Sequence, residues 1–437
     1  MQRVAYNNLN LTLETHGARQ SNFELLRILS MVFIVAAHWS HAFAGINVSA
    51  FPLFNLCFYH VFRGFGQIGV NSFLLISGYF LSKSKFKLQS FLRIAFQVVF
   101  YACVLLIANA IIHPDNKWSI GGVLAYILLL SNGDFWFVGP YIAMFLLSPF
   151  INVCTRNLRK EQFVILLFIV GLFVSVLPTV FDKQIWPNEL TINIIHFVFI
   201  YLIGAYISRF VSDLHSRAFA PVVCLGFFLI FLTTLILPNV LGVRKELVMY
   251  FQARSNVLMV ACSVLLFLVF KQIRMKPSKL VNLVGGSTFG IYLLHENFMT
   301  RHLLWRDFFH VEALSHSNLF ALYAIETVFI VFAIGFMVDV ARKYLLEKPL
   351  FALLDKKLGN VFKNVNSMFV FEDMSTKKNN IEIRYLWLHF IVLTMATIMS
   401  VLIPIENIAV FLAIVGVYII IWLVVWLIHR QAQTNGK

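Results

Sequence analysis

Long apolar segments, separated by short polar or basic loops, dominate the pattern of hydrophobic and polar positions in this chain of 437 residues. Several segments reach the roughly 18 residues that a helix needs to cross a bilayer. The pattern therefore predicts an all-α fold, a polytopic transmembrane helix bundle of about ten core spans and two C-terminal spans. The predicted spans lie near 23–45, 64–82, 91–112, 135–154, 162–181, 190–208, 220–238, 250–270, 281–300, 318–341, 385–404 and 407–428.

Composition and charge support a membrane protein. The chain is 60% hydrophobic and only 13% charged, whereas soluble domains carry roughly 25% charged residues. The net charge of +15 does not indicate a nucleic-acid partner, because most of the Lys and Arg residues fall on one set of loops. The positive-inside rule then places both termini in the cytoplasm of a multi-pass protein of the cell membrane. Membrane lipid is accordingly an expected partner.

The same pattern predicts the domain organisation. The short apolar stretch Ser119–Ser131 is interpreted as an interfacial or re-entrant segment, because a span there would reverse the side on which Arg156 lies. The basic segment before the last two spans is expected to be a linker or a small amphipathic element near anionic headgroups. The predicted parts are 1–22, a cytoplasmic N-terminal segment; 23–345, a ten-span body; 346–384, a basic cytoplasmic linker; and 385–437, a two-span appendage.

Arg27 and His38 are ionisable residues inside the first predicted span. Eleven residues of helix turn the direction by about 20° and rise by ~16 Å, so both side chains lie on one face at two depths. Glu24 and His41 fall on the same side. Ionisable groups in the bilayer usually mark a pathway or a site. The alternative is an arginine that extends to the interface and a histidine bonded to a neighbouring helix.

A second group of polar residues lies in the ninth predicted span. Thr288, Tyr292 and His295 share one helix face within about 60°. Three hydrogen-bonding groups on one face of an apolar helix predict the wall of a polar cavity. A bonded structural triad is the alternative.

Four further polar or aromatic positions have both a structural and a functional interpretation. Ser77, beside Gly78, is explained by helix packing or by a site. Trp136 fits an aromatic belt, and Arg93 fits the positive-inside rule at the start of the third span. Glu326 is a lone acid in the tenth predicted span, where a His or an Arg is the expected partner.

Together these segments resemble the membrane acyltransferase-3 family of multi-span acyltransferases. The Arg-x10-His spacing is part of that resemblance, and Trp136-Phe137-Val138, without a following acid, resembles one of its branches. The matching segments occur in the family's order over roughly residues 20–345: 23–38, 69–79, the basic start of the third span ending at Arg93, 135–149 and 287–295. The resemblance implies transfer of an acyl group, usually acetyl or succinyl, to a cell-surface carbohydrate.

The resemblance also implies the substrates and the residue roles. Acyl-CoA, most simply acetyl-CoA, is the expected donor, and a hydroxyl of a cell-surface polysaccharide or its lipid-linked precursor is the expected acceptor. His38 is expected to act as a base or to carry the acyl group. Arg27 and Arg93 are expected to bind the coenzyme A phosphates. The residues expected to support the site or bind substrate are Glu24, His41, Ser77, Trp136, Thr288, Tyr292 and His295.

Two other classes of function share some of these features. A transporter or polymerase of lipid-linked oligosaccharide has a similar span count and aromatic content, but it does not need Arg and His at this spacing. A metal site at His38, His41, His60 and His295 has no HExxH-type signature in support. We therefore predict no metal.

Overall fold

The computed structural model describes five long stretches of the chain, residues 19–112, 136–181, 189–211, 253–297 and 303–370, and residues 119, 123, 126, 300 and 301. Residues 1–183 and 193–370 form one compact unit, and residues 184–192 and 371–437 form another, of which only 189–192 are described. Several predicted segments lie outside the described residues: the spans 220–238, 385–404 and 407–428, residues 1–18 and 371–384, and most of 119–131.

The described residues are mainly helical. Three short π-helical segments, Leu172–Val176, Leu303–Phe308 and Lys343–Glu347, and two 3₁₀ turns, Val48–Ala50 and Val311–Leu314, accompany the α-helices. The α-helices are α1 Ser21–His41, α2 Leu53–Leu81, α3 Leu88–Ile112, α4 Val138–Arg156, α5 Lys160–Gly171, α6 Leu177–Phe181, α7 Glu189–Phe210, α8 Val257–Gln272, α9 Lys279–Gly285, α10 Thr288–His295, α11 Phe320–Arg342 and α12 Lys348–Met368.

Six helical segments within the described residues are long and apolar enough to cross a membrane. They are Ser21–His41, Leu88–Ile112, Val138–Arg156, Lys160–Thr179, Asn193–Phe210 and Phe320–Met368. The described part of the chain contains no strand. The predictions of an all-helical fold and of a multi-pass membrane protein are therefore confirmed. The number of spans and the cytoplasmic placement of both termini stay predictions.

Helix α1 is the central element of the larger unit, since it packs against α2, α8, α9, α10 and α11. Two glycines of α2 allow its closest approach to α1. A Cβ atom at Gly66 would overlap the Cβ atom of Ala37, and one at Gly69 would lie 2.5 Å from the Ser30 carbonyl oxygen. The small residues thus bring two helix backbones together, as in other membrane bundles. This contact fixes the helix that carries Arg27 and His38.

The structure divides the predicted span 281–300 into α9 and α10. Helix α9 ends at Gly285, where a Cβ atom would lie 2.5 Å from the Glu24 carboxylate. The hydroxyl of Thr288 donates to the Gly285 carbonyl at 2.8 Å at the start of α10. The break therefore lets α9 pack against the beginning of α1 while α10 runs separately toward His38.

Helix α11 continues through the π-helical segment Lys343–Glu347 into α12. The first part of the predicted linker 346–384 is therefore helical in the residues that the structure describes. Pro349 lies in the first turn of α12, directly after the π-helical segment, and has no backbone N–H to donate to the preceding turn. The aromatic side chain of Phe351 packs on Phe96 of α3 at 6.1 Å between ring centroids.

Candidate active site

Two buried histidines from distant parts of the chain meet in the centre of the larger unit. His38 comes from the last turns of α1 and His295 from the end of α10. The His38 Nδ1 atom lies 2.8 Å from His295 Nε2, and the two residues are 3% and 2% exposed. The sequence predicted a polar face on each helix, and the structure brings these two faces into contact.

The hydrogen bonds of this pair define which ring nitrogens carry protons. His295 Nδ1 lies 2.6 Å from the Ile291 carbonyl oxygen. A carbonyl oxygen only accepts, so His295 Nδ1 carries the hydrogen and its Nε2 is the acceptor in the neutral ring. His38 Nδ1 must then donate to His295 Nε2. The assignment, inferred from the hydrogen-bond network, leaves the His38 Nε2 atom with its lone pair available to take a proton.

A buried carboxylate accompanies the histidine pair. Glu296 Oε2 lies 3.3 Å from His38 Nδ1, and the Glu296 side chain is 1% exposed. The other oxygen, Oε1, accepts a hydrogen bond from Arg301. A buried carboxylate is costly unless it is paired. Arg301 therefore pairs with Glu296 and holds it in place beside the imidazole that would become positive on accepting a proton.

His41 lies one turn beyond His38 on the same helix, with 5.4 Å between the ring centroids. His38, His41 and Glu296 each offer one ligand atom within 4.8 Å of the others, so a divalent cation is chemically conceivable there. His60 does not belong to this group. A metal ion would have to compete with Arg301 for Glu296 and with His295 for His38.

A narrow apolar cavity lies beside α1 and α10. Its volume is about 20 Å³, and Met31 and Ile34 of α1 line it between the levels of Arg27 and His38. Trp136 and Tyr292 also line it, with the remaining walls formed by Val70, Phe73, Phe137 and Phe289. A space of this size holds about one water molecule. Side chains must therefore move before an acyl group can occupy it.

Arg27 is partly exposed at the other end of the face that carries His38. Its guanidinium donates to Glu24 Oε1 at 2.8 Å, and the arginine side chain is 27% exposed. Glu24 is buried against Gly285, the last residue of α9. Glu24 therefore orients Arg27, which lies one helix turn away.

Arg93 is held by residues near the start of α12. Its guanidinium lies 3.2 Å from Glu347 Oε1 and 4.5 Å from the centre of the Phe351 ring. These contacts leave the arginine side chain 41% exposed. Arg93 and Arg27 thus have separate partners, and both arginine side chains are partly exposed.

A buried ionic network lies beneath α10. Asp339 Oδ1 accepts hydrogen bonds from Arg342 Nε at 3.0 Å and from the Tyr101 hydroxyl at 3.1 Å. Glu347 accepts a second bond from Arg342. Gly290 of α10 packs directly on this network, because a Cβ atom there would overlap the Asp339 carboxylate. The network therefore positions the helix that carries His295.

The remaining predicted residues lie around the site rather than in the histidine cluster. Ser77 donates to the Phe73 carbonyl and lies 3.3 Å from the Tyr141 hydroxyl. The Trp136 ring stacks under Arg254, whose guanidinium carbon is 4.2 Å from the ring centre. Tyr292 is buried with its ring 6.1 Å from that of His38.

Two other predicted positions have local explanations. The hydroxyl of Thr288 donates to the Gly285 carbonyl at the start of its own helix. Glu326 is exposed on α11, between the exposed apolar residues Leu322 and Phe329.

Sequence reasoning missed Glu296, Arg301 and Asp339. Glu296 follows His295 directly and Arg301 follows five residues later. An acid after an apolar segment, with an arginine about one turn beyond, is a weak signal that was available. Asp339 lies in the last turns of the predicted tenth span, three residues before Arg342, a spacing at which acid and base pair on a helix.

The fold and this cluster define a multi-pass helical membrane protein with a buried histidine–carboxylate site. Comparison with known families assigns it further, because a family model described as an acyltransferase domain matches residues 20–341. The chain belongs to this acyltransferase family, the one that the sequence motifs resemble. No curated protein and no solved structure matches the chain significantly. His38, His295 and Glu296 all lie inside the matched region.

Proposed function

We propose that this protein is an integral membrane O-acyltransferase. It moves an acyl group, in the simplest case acetyl, from acyl-CoA to a hydroxyl of a cell-surface polysaccharide or its lipid-linked precursor. The family membership supports acyl transfer in general, and it favours this class over the transporter or polymerase considered from the sequence. The donor and the acceptor are parts of the proposal.

The observation that carries the proposal is the orientation of His38. Its Nδ1 atom is directed to His295 at 2.8 Å and to Glu296 at 3.3 Å, so Nε2 is the basic atom. A sugar hydroxyl is a poor nucleophile and needs a base to take its proton, and histidine suits this task near neutral pH. His38 Nε2 is the atom we assign to it.

The proposed reaction is a direct transfer. The acceptor oxygen attacks the thioester carbonyl while His38 Nε2 takes the hydroxyl proton. The carbon–sulfur bond breaks, and the electron pair leaves with the coenzyme A sulfur. The imidazolium then returns the proton to that thiolate, so the products are the acyl ester and free coenzyme A. A positive His38 is stabilised meanwhile by the carboxylate of Glu296.

Burial of the cluster suits transfer rather than hydrolysis. His38, His295 and Glu296 are each at most 3% exposed. A site that excludes water protects a reactive thioester from hydrolysis and strengthens the electrostatic interactions inside it. The narrow cavity beside Tyr292 is apolar on its lining, which further supports a dry path for the acyl group.

Arg27 is proposed to hold the phosphates of coenzyme A. It lies ~16 Å from His38 along α1 by helix rise, so the extended arm of the donor would connect the two levels. The guanidinium uses one edge for Glu24 and is partly exposed, which supports a phosphate contact on the other. Arg93 is proposed to assist, although Glu347 competes for it.

The predicted orientation completes the proposal. The positive-inside rule places the Arg27 end in the cytoplasm, where acyl-CoA is made, and the acceptor is expected at or beyond the outer face. His38 lies farther along α1 toward that face. The proposed setting is therefore the cell membrane, with lipid as the surrounding partner and no nucleic acid involved.

Turnover by the purified protein tests this proposal. Reconstituted protein is given radiolabelled acetyl-CoA with and without an extract of the cell's lipid-linked glycans, and both free coenzyme A and labelled glycan are measured. We expect label on the glycan in proportion to coenzyme A released. Movement of glycan across the vesicle membrane with no thiol released would instead establish a transporter.

A further inference from the structure

Helix α12 has three distinct surfaces. One surface carries Phe351 and Phe362, which are 1% and 2% exposed, and Phe351 packs on α3. A second is mainly polar. A third, within about 80° of helix circumference by the 100° turn per residue, consists of apolar residues only. These are Leu350, Leu354, Leu358, Val361, Val365 and Met368.

The third surface, which we call the apolar arc, is incompletely covered in the described part of the protein. Leu358, Val361 and Met368 are 41%, 52% and 73% exposed. The preceding π-helical segment also exposes an apolar side chain, since Leu345 is 73% exposed. Contiguous exposed apolar surface of this kind marks a contact with a partner or with a membrane.

Helix α12 is steeply inclined to its neighbour α3. Phe351 packs on Phe96, and Asn366 donates to the side chain of Gln89 at 3.0 Å. The two contacting residues of α12 are fifteen residues apart, about 22 Å along that helix. Their partners on α3 are seven residues apart, about 10 Å along α3, so the two helix axes are not parallel. If α3 crosses the membrane, the axis of α12 lies closer to the membrane plane than to the membrane normal.

The charges on α12 indicate that the apolar arc faces a bilayer. Lys356 and Lys363 lie on the polar side, and Lys357 borders the apolar arc. Apart from Leu353, the polar side carries no large apolar residue. Lysines beside an apolar stripe are the pattern of helices that lie in the headgroup region of a bilayer. Anionic headgroups complement these charges.

We infer that α12 is an in-plane membrane helix that binds the anionic phospholipid of the leaflet at its end of the bundle. The apolar arc enters the acyl-chain boundary, and Lys357 at its border contacts the phosphates. Lys356 and Lys363, on the polar side, add longer-range attraction to the anionic surface. The positive-inside rule makes this the cytoplasmic leaflet. The inference is independent of the proposed acyl transfer.

Fluorescence quenching in proteoliposomes tests this placement. A polarity-sensitive label is attached to Val361→Cys, on the apolar arc, or to Asn360→Cys, on the polar side, after the five native cysteines are replaced by alanine. Lipid-borne spin labels and aqueous iodide serve as the two quenchers. We expect the lipid quencher to act on the label at 361 and iodide to act on the label at 360.

Two outcomes would overturn the placement. A label at 361 that iodide quenches and lipid does not would put the helix in water. A label at 361 that neither agent reaches would show that protein covers the arc, either from elsewhere in the chain or from a second copy.

A charge series tests the preference for anionic lipid. Quenching at 361 by a spin-labelled phosphatidylglycerol is compared with quenching by the matching phosphatidylcholine. Replacing Lys356, Lys357 and Lys363 together by glutamine should abolish the preference for the anionic lipid, because each lysine near a surface contributes about fivefold. The matched variant with arginine at all three positions should retain it. Equal preference in the glutamine variant and the wild type would refute the role of the lysines.

Discussion

Glu296→Gln removes the negative charge beside His38 while keeping the size of the side chain. Glu296 Oε2 lies 3.3 Å from His38 Nδ1. At an effective dielectric constant of about 20, opposite unit charges at this separation attract by roughly 5 kcal/mol. Relaxation of the site and entry of water reduce the net loss of transition-state stabilisation. We take this loss as about 3 kcal/mol, which lowers kcat by roughly 150-fold. The loss should appear in kcat because the imidazolium charge develops only during the reaction.

A substitution of Arg301 tests the direction of this electrostatic effect. In Glu296→Gln the guanidinium of Arg301 loses its partner and is left to repel the imidazolium. Removing it as well, in Glu296→Gln with Arg301→Gln, should recover part of the lost activity. A double variant that is as impaired as the sum of the two single variants would mean that the residues act independently.

The assay is the release of coenzyme A at saturating acetyl-CoA and glycan acceptor. Thermal unfolding in the same detergent verifies that each variant is folded. Glu312→Gln is the matched control, because it removes the carboxylate partner of a different arginine, Arg306. Wild-type kcat in a folded Glu296→Gln protein would refute the electrostatic role of this carboxylate.

Four further predictions follow from the geometry and from the distribution of charge. Arg27→Ala should raise the KM for acetyl-CoA by roughly tenfold or more through loss of a charged hydrogen bond, and Arg27→Lys should recover part of it; equal KM values would contradict the phosphate contact. Gly290→Ala should destabilise the protein by about 1–3 kcal/mol through overpacking on Asp339, measured by thermal unfolding, whereas Gly139→Ala, where a Cβ atom meets nothing within 4 Å, should not. Dialysis against EDTA should leave turnover unchanged; a loss that zinc restores would reveal a metal site. A cysteine at Lys377 should resist thiol reagents confined to the outside of cells, and labelling there would invert the predicted orientation.

Local patterns predicted the parts of the site that lie on regular helices. Helix periodicity alone predicts that Arg27 and His38 share one helix face and that Thr288, Tyr292 and His295 share another. Hydropathy located both segments. The contact between His38 and His295 was not predictable in this way, because the residues are 257 positions apart. The motif resemblance grouped them, but only the packing of α10 on α1 shows which atoms meet.

The residues that were missed or differently placed depend on tertiary packing. Hydropathy averages over a window, so it joined α9 and α10 across Gly285, where α9 ends against Glu24. Glu296 lies just after the last residue of α10, so helix periodicity does not predict the direction of its side chain. The partner of Arg93 is Glu347, 254 residues away, and no local signal indicates that pairing.

The most direct test of the central claim is acyl transfer by His38→Ala. His60→Ala is the matched control, since His60 lies on α2 outside the histidine–carboxylate cluster. Labelled acetyl-CoA is supplied to membranes that contain equal, folded amounts of each variant, and ester-linked label on the glycan is counted. General base catalysis contributes roughly 10²–10⁴-fold, so we predict that His38→Ala loses at least a hundredfold in rate while His60→Ala retains its activity. Undiminished transfer by folded His38→Ala would contradict the account.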